Sequence, residues 1–324
     1  MDAAPKKRVS IIAPCYNEAG GLDEFLAQLR TVTDALPAFS FEFILVDDGS
    51  TDDTEVLLTR RAGMDPRVKA VFLARNYGHQ RAITVGLDLC SGDYAIILDA
   101  DLQDPPELIP EILEKLEEGF DVVHTVRADR SVDSFGKRAF AKICYWAMRR
   151  WVLPELKENA GEFKGMNRRI LDALKHYRER VRFLRGAIAT LGFRQTEIVY
   201  NRAARYEGKS KYPTWQTFRL ARDAMVSNTV IPLRFGFYFG VAVLFFLPLY
   251  LLSCVVAVLR GIPPNVLLIL GVLGVIAFFS GLILILLGLI GEYLMCIIRE
   301  VKQRPLYLVR ATHNLPLPDP PPGD

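Results

Sequence analysis

Residues 97–106 read Ile97-Leu98-Asp99-Ala100-Asp101-Leu102-Gln103-Asp104-Pro105-Pro106. An apolar, strand-like run ends in three aspartates and a glutamine, then in two prolines that suit the start of a helix. In an extended segment residues i and i+2 point the same way, so Asp99 and Asp101 face one spot and repel each other. A hard divalent cation relieves that repulsion. Mg²⁺ is commonly held by one or two carboxylates with substrate phosphates completing its shell, and Gln103 offers a further neutral oxygen. Taken alone, an Asp-x-Asp pair is more readily a helix cap than a metal site.

Three more loops of the same kind precede it. Strand-like runs at Val9–Ala13, Phe41–Val46, Val68–Leu73, Tyr94–Leu98 and Val122–Val126 alternate with helical patterns over Gly21–Leu36, after Ser50-Thr51-Asp52, and over Gln80–Leu89 and Pro106–Glu118. Such alternation predicts an α/β, Rossmann-like domain with a mainly parallel sheet, whose ligands bind at the carboxyl edge. Pro14-Cys15-Tyr16-Asn17-Glu18, Asp47-Asp48-Gly49-Ser50 and Arg75-Asn76-Tyr77-Gly78 all fall at that edge. A carboxylate of the Asp47-Asp48 pair can accept hydrogen bonds from a base imino group or from ribose, and Tyr16 can pack on a base. With the Asp-x-Asp loop, these clusters describe a nucleotide diphosphate held at base, ribose and metal-bound phosphates.

The other half of the chain has another character. The sequence of 324 residues is 51% hydrophobic yet 24% charged. The average conceals two runs, 235–259 and 265–291, with no ionisable side chain except Tyr and Cys. About 20 helical residues at ~1.5 Å each cross a bilayer core, so each run is long enough to span. The five residues between them, Arg260-Gly261-Ile262-Pro263-Pro264, allow only a hairpin. Arg219, Arg222 and Arg234 precede it and Arg299, Lys302, Arg304 and Arg310 follow it, which places the large domain in the cytoplasm. No cleavable signal peptide is expected. Basic, aromatic stretches at 132–153 and 212–225 read as helices lying in the membrane interface. The expected organisation is a catalytic domain over 1–211, a juxtamembrane amphipathic helix over 212–234, a transmembrane hairpin over 235–291, and a cytoplasmic tail over 292–324 whose end, LPLPDPPPGD, is disordered.

Composition excludes other classes. A net charge of +3 is explained by lipid-facing basic residues and does not call for nucleic acid. Five scattered cysteines and four unpaired histidines suggest neither a disulfide frame nor a zinc site.

The order PCYNE, VDDGS, NYG, DADLQDPPE and a twin apolar hairpin resembles the family 2 glycosyltransferases of GT-A fold. Within them it is most similar to the polyisoprenyl-phosphate glycosyltransferases, the dolichyl-phosphate mannose synthase and bactoprenol glucosyltransferase group. The resemblance implies that Pro14, Tyr16, Glu18, Val46 and Asp48 line a nucleoside pocket. It gives Asp99, Ala100 and Asp101 to ribose and diphosphate, and Asp99, Asp101 and Gln103 to Mg²⁺ or Mn²⁺. Arg127, with Arg205 and Lys211 of RYEGKSK, would contact the donor diphosphate or the acceptor phosphate. Arg130, Ser134, Lys137 and Arg138 fit a phosphate patch at the membrane face. Where relatives often read Gly-Asp-Phe-Arg, this chain has Gly161-Glu162-Phe163-Lys164. Glu162 and Lys164 are therefore expected near the sugar or acceptor phosphate, with ordinary surface charge as the alternative, and Glu162 is counted with the catalytic set.

The reaction so implied is inverting transfer of a sugar, UDP-glucose favoured, to undecaprenyl or a similar polyprenyl phosphate on the cytoplasmic leaflet of a bacterial inner membrane. UDP-GlcNAc, UDP-galacturonate, a UDP-aminoarabinose derivative and GDP-mannose are alternative donors. A lipid monophosphate, with a second pKa near ~6, is already a nucleophilic oxyanion at neutral pH, so no strong general base is required. Relatives also suggest a homotetramer, and a flippase and a periplasmic transferase as partners. A processive polysaccharide synthase is disfavoured by the lack of Gln-x-x-Arg-Trp and by only two spans. A catalytically silent membrane adaptor that binds nucleotide sugar is the reading from another class.

Overall fold

The computed structural model describes residues 6–127, 160–179, 184–200 and 263–317, with a few more between 238 and 260. The chain forms two compact units, one of residues 1–213 with 304–324 and one of residues 214–303.

The first unit is built on one eight-stranded sheet in the order β7-β5-β6-β4-β1-β2-β3-β8. The strands are β1 (Lys7–Cys15), β2 (Phe39–Asp47), β3 (Val68–Leu73), β4 (Tyr94–Ile97), β5 (Val122–Arg127), β6 (Ala160–Asn167), β7 (Gln195–Tyr200) and β8 (Val309–His313). β4, β1, β2 and β3 are mutually parallel, as is the β5–β7 pair. β6 runs antiparallel between β4 and β5, and β8 antiparallel along β3.

Alternation along the strands divides the core into two faces. Val9, Ile11, Ala13, Phe43 and Leu45 pack beneath α1 (Leu22–Asp34), α2 (Thr54–Met64) and α4 (Ile109–Glu117). Ile12, Ile44, Val46, Val71 and Ile97 pack beneath α3 (His79–Leu89), α5 (Arg168–Lys175) and α6 (Leu184–Thr190). Gly165 of β6 lets α4 sit close: a Cβ there would lie 2.2 Å from Ile112 Cγ2. One buried polar group on the second face is satisfied internally: Glu42 accepts from Ser10, Lys69 and the Ser91 amide.

Three strands escaped the sequence reading. β6 carries Glu162, Lys164 and two glycines and looks like a surface loop, but lies inside the sheet. β7 is short and half polar. β8 belongs to the segment read as a tail; it pairs with β3 from Ala70↔His313 to Leu73↔Val309, and Arg310 reaches Glu55 at 2.6 Å. It covers an edge that would otherwise offer unpaired backbone groups.

In the second unit, α7 (Pro264–Val301) has 38 residues. An 18-residue window within its stretch Gly271–Ile298 has mean hydropathy 2.8, and none of that window is buried. Among the described residues this is the one helix long and apolar enough to cross a membrane. Most of the expected first span, 235–259, lies outside the described residues, as do the expected interfacial helices and most of LPLPDPPPGD.

Candidate active site

The carboxyl ends of β1, β2, β3 and β4 bring four loops together. The first two are stitched: Asn17 N donates to Ser50 Oγ at 3.0 Å, Glu18 N to Thr54 Oγ1 at 3.0 Å, and Thr51 N to Asn17 Oδ1 at 2.8 Å. Asn17 takes the left-handed conformation, φ 55°, that makes the corner. Asp47 is buried and spends its carboxylate on the Ser50 amide and hydroxyl.

Asp48 turns to the third loop. Its Oδ1 accepts from Tyr77 N at 2.6 Å and its Oδ2 from Gly78 N at 2.8 Å. Burial pushes its carboxyl up, opposed by those two amides. Gly49 is at φ 70°, and a Cβ there would stand 2.6 Å from the Arg75 carbonyl carbon. The two loops thus touch backbone to backbone. Fixing Tyr77 and Gly78 sets the start of α3, whose first residue, His79, brings Nε2 to 3.4 Å from Asp99 Oδ1.

Asp99 and Asp101 are the centre of the rim. Asp99 Oδ1 is buried without a hydrogen-bond partner. Burial drives this carboxyl up to about 6; His79 opposes the rise, and Asp104, Asp101 and Glu162 add to it. Asp101 Oδ1 accepts from the Gln103 amide at 3.2 Å across Leu102, itself at φ 59°. Asp104 is buried and bonds the Tyr200 hydroxyl of β7, drawing the loop down. No group of three His, Cys, Asp or Glu side chains among the described residues is placed to hold a metal. Two carboxylates with one orphaned oxygen do fit a cation whose shell a diphosphate completes.

Beneath Asp99 lies a set of buried charges. Lys164 pairs in register with Ile97, which places Glu162 abreast of Asp99 as β6 enters the sheet. Glu162 is 7% exposed and Lys164 0%. Glu162 Oε1 accepts from Arg185 Nε at 2.8 Å and Gln80 Nε2 at 3.0 Å, and its Oε2 from Lys164 Nζ at 3.3 Å. Burial alone would push the Glu162 carboxyl up, but Lys164 and Arg185 outweigh it and hold it well below the usual range. Burial also draws the Lys164 ammonium down, with Glu162 opposing.

Residues 10–175 match the model of glycosyl transferase family 2. The chain is 34% identical over 313 residues to the SfII prophage-derived bactoprenol glucosyl transferase of Shigella flexneri, covering 95% of this chain and 99% of that protein. The chain belongs to glycosyl transferase family 2. Two further relatives are the uncharacterised glycosyltransferases YkcC of Bacillus subtilis strain 168, at 35% identity with 94% of each chain covered, and sll0501 of Synechocystis, at 36% with 93% and 94% covered. Among solved structures, glucosyl-3-phosphoglycerate synthase from Mycobacterium tuberculosis in complex with Mn²⁺, UDP and phosphoglyceric acid aligns at TM-score 0.45 and 17% identity, over 67% of this chain and 75% of that one. The family assignment rests on the sequence relatives, not on that alignment.

For this family 2 glycosyltransferase the structure brings Tyr16, Glu18, Asp48, Asp99, Asp101 and Gln103 to one rim, with Pro14, Val46 and Ala100 buried just behind it. Arg127 ends β5 opposite Tyr200. Glu162 and Lys164 are not surface charges but buried strand residues. Arg130, Ser134, Lys137, Arg138, Arg205 and Lys211 lie outside the described residues. Sequence reasoning missed His79, Gln80 and Arg185. The first two directly follow the NYG loop, where a helix start aims side chains at the rim; Arg185 gave no signal among its basic neighbours.

Proposed function

We propose that this glycosyltransferase moves a sugar from a nucleotide sugar, UDP-glucose favoured, to a polyprenyl phosphate such as undecaprenyl phosphate, with inversion. The observation that carries the donor half is the orphaned Asp99 Oδ1 beside Asp101 at the sheet edge. The acceptor half draws on the bactoprenol relatives and the apolar helix α7. Asp99 and Asp101, with Gln103, would hold Mg²⁺ or Mn²⁺, which when bound neutralises charge on the departing diphosphate. Asp48 and its clamped loop, with Tyr16, shape the nucleoside pocket. Arg127, Arg205 and Lys211 supply cations to the two phosphate groups, and Arg130, Ser134, Lys137 and Arg138 face the lipid phosphate.

The acceptor needs no base, because its phosphate is already ionised. Alignment of that oxyanion behind the anomeric carbon is the main task, worth several kcal/mol in well-oriented systems. Two spans, a cytoplasmic catalytic face, the bacterial inner membrane and a homotetramer complete the proposal. The test uses purified full-length protein, undecaprenyl phosphate and a panel of radiolabelled UDP- and GDP-sugars, following label into organic solvent. One sugar should partition, and EDTA or Asp101→Ala should abolish it. Donor binding with no transfer to any acceptor would favour the silent adaptor.

A further inference from the structure

Glu162 stands abreast of Asp99, where a donor's sugar would lie if its diphosphate sits at Asp99 and Asp101; a role for Glu162 beside the sugar therefore rests on the proposed function. A carboxylate beside the sugar, freed of its partners, would accept a proton from an attacking nucleophile. Yet donors from three elements occupy it: Gln80 of α3, Arg185 of α6 and Lys164 of its own strand. Gln80 is itself held, its Oε1 accepting from Leu184 N at 3.3 Å. Among the described residues, the other titratable groups facing this position are His79 from α3 and Asp99 from the end of β4. None of the three donors is among the residues assigned to the cation.

The consequence is a choice between nucleophiles. Water must lose a proton as it attacks the anomeric carbon, and a base accelerates that step; a phosphate monoester carries its oxyanion already. We propose that Arg185, Gln80 and Lys164 form a clamp that withholds Glu162 as a base, so that the donor sugar passes to the phosphate acceptor and not to water. Arg185 and Gln80 are positioning residues in this scheme. Without the clamp, water oxygen bonds the anomeric carbon and the carbon–oxygen bond to the diphosphate breaks. The electron pair then leaves with the nucleotide diphosphate, and the water proton passes through Glu162 to solvent.

The experiment measures free sugar against lipid-linked sugar from radiolabelled UDP-glucose, with the full-length protein and with or without undecaprenyl phosphate. General-base catalysis is worth about 10²–10⁴-fold, so partial release of Glu162 in Arg185→Gln should raise the hydrolysis-to-transfer ratio at least ~10-fold. Arg185→Lys keeps a cation and should keep the parental ratio. Arg185→Gln with Glu162→Gln should return hydrolysis to the parental level, since an amide accepts no proton. Gln80→Leu removes one neutral donor and serves if Arg185→Gln does not fold. Folded Arg185→Gln and Gln80→Leu proteins with the parental ratio, or a double variant that hydrolyses as fast as Arg185→Gln alone, would overturn the clamp. If the parent transfers to no lipid, the proposed acceptor fails, while the rise of hydrolysis in Arg185→Gln still decides the clamp.

Discussion

Lys164→Met should destabilise the protein through the charge it strands. The ammonium is wholly buried and 3.3 Å from Glu162. At that separation and an effective dielectric near 20, the gross attraction is about 5 kcal/mol. Burying the ammonium itself costs several kcal/mol, so the pair is worth far less than that sum. Removing the lysine, however, leaves a buried carboxylate behind, a change that typically costs about 3–5 kcal/mol. Arg185 and Gln80 remain on Glu162, which puts the expectation at the lower end, about 3 kcal/mol. At about 2–4 °C per kcal/mol for a domain of this size, the melting temperature should fall by roughly 6–12 °C. Adding Glu162→Gln to Lys164→Met removes the stranded charge and should recover at least about half of the loss, since Arg185 is 30% exposed and can be hydrated. Circular dichroism melts of the detergent-solubilised single and double variants provide the cycle. A Lys164→Met protein melting within about 2 °C of the parent, or a double variant no better than the single, would refute the electrostatic reasoning.

Other perturbations address other levels. Gly49→Ala forces a side chain into φ 70° and against the Arg75 backbone; it should cost about 1–3 kcal/mol and weaken UDP binding, measured by calorimetry. Glu42 is pushed up by burial, but Lys69, Ser10 and the Ser91 amide more than offset this and hold its carboxyl below the ordinary value. Its contribution is therefore present above the unfolded carboxyl's pKa and lost as pH falls through the folded one. Melts should show Glu42→Gln less stable than the parent at neutral pH, with the gap closing on acidification. Asp99, raised to about 6, must lose its proton to meet a cation, so Mn²⁺-supported donor binding should weaken as pH falls below about 6, and a flat profile from pH 7 to 5 would count against Asp99 as a ligand.

How much of this was legible depended on which signal each residue emits. β1 to β5 announce themselves as β-branched runs between helical patterns, and the parallel order puts their polar ends on one rim. β6 does not, because Glu162 and Lys164 in a strand look solvated until Arg185 and Gln80 arrive from elements more than twenty and eighty residues away. A pairing across that distance leaves no local periodicity. β8 was hidden for a different reason: an edge strand needs only one partner, and Val309–His313 follows a long apolar helix that dominates its surroundings. Asp48 shows the limit of motif reading. Its acidity suggests a nucleoside contact, while what the structure shows is Asp48 holding Tyr77 and Gly78 where α3 begins.

The measurement that bears most directly on the central claim compares two acceptors in vesicles containing the full-length protein: undecaprenyl phosphate and undecaprenol. With Mg²⁺ and radiolabelled UDP-glucose, label should enter the phosphate and leave the alcohol untouched, because only the phosphate brings its own oxyanion to a site whose Glu162 carboxylate is held by Arg185, Gln80 and Lys164. Glycosylation of the alcohol, or of neither while the donor still binds, would contradict the account.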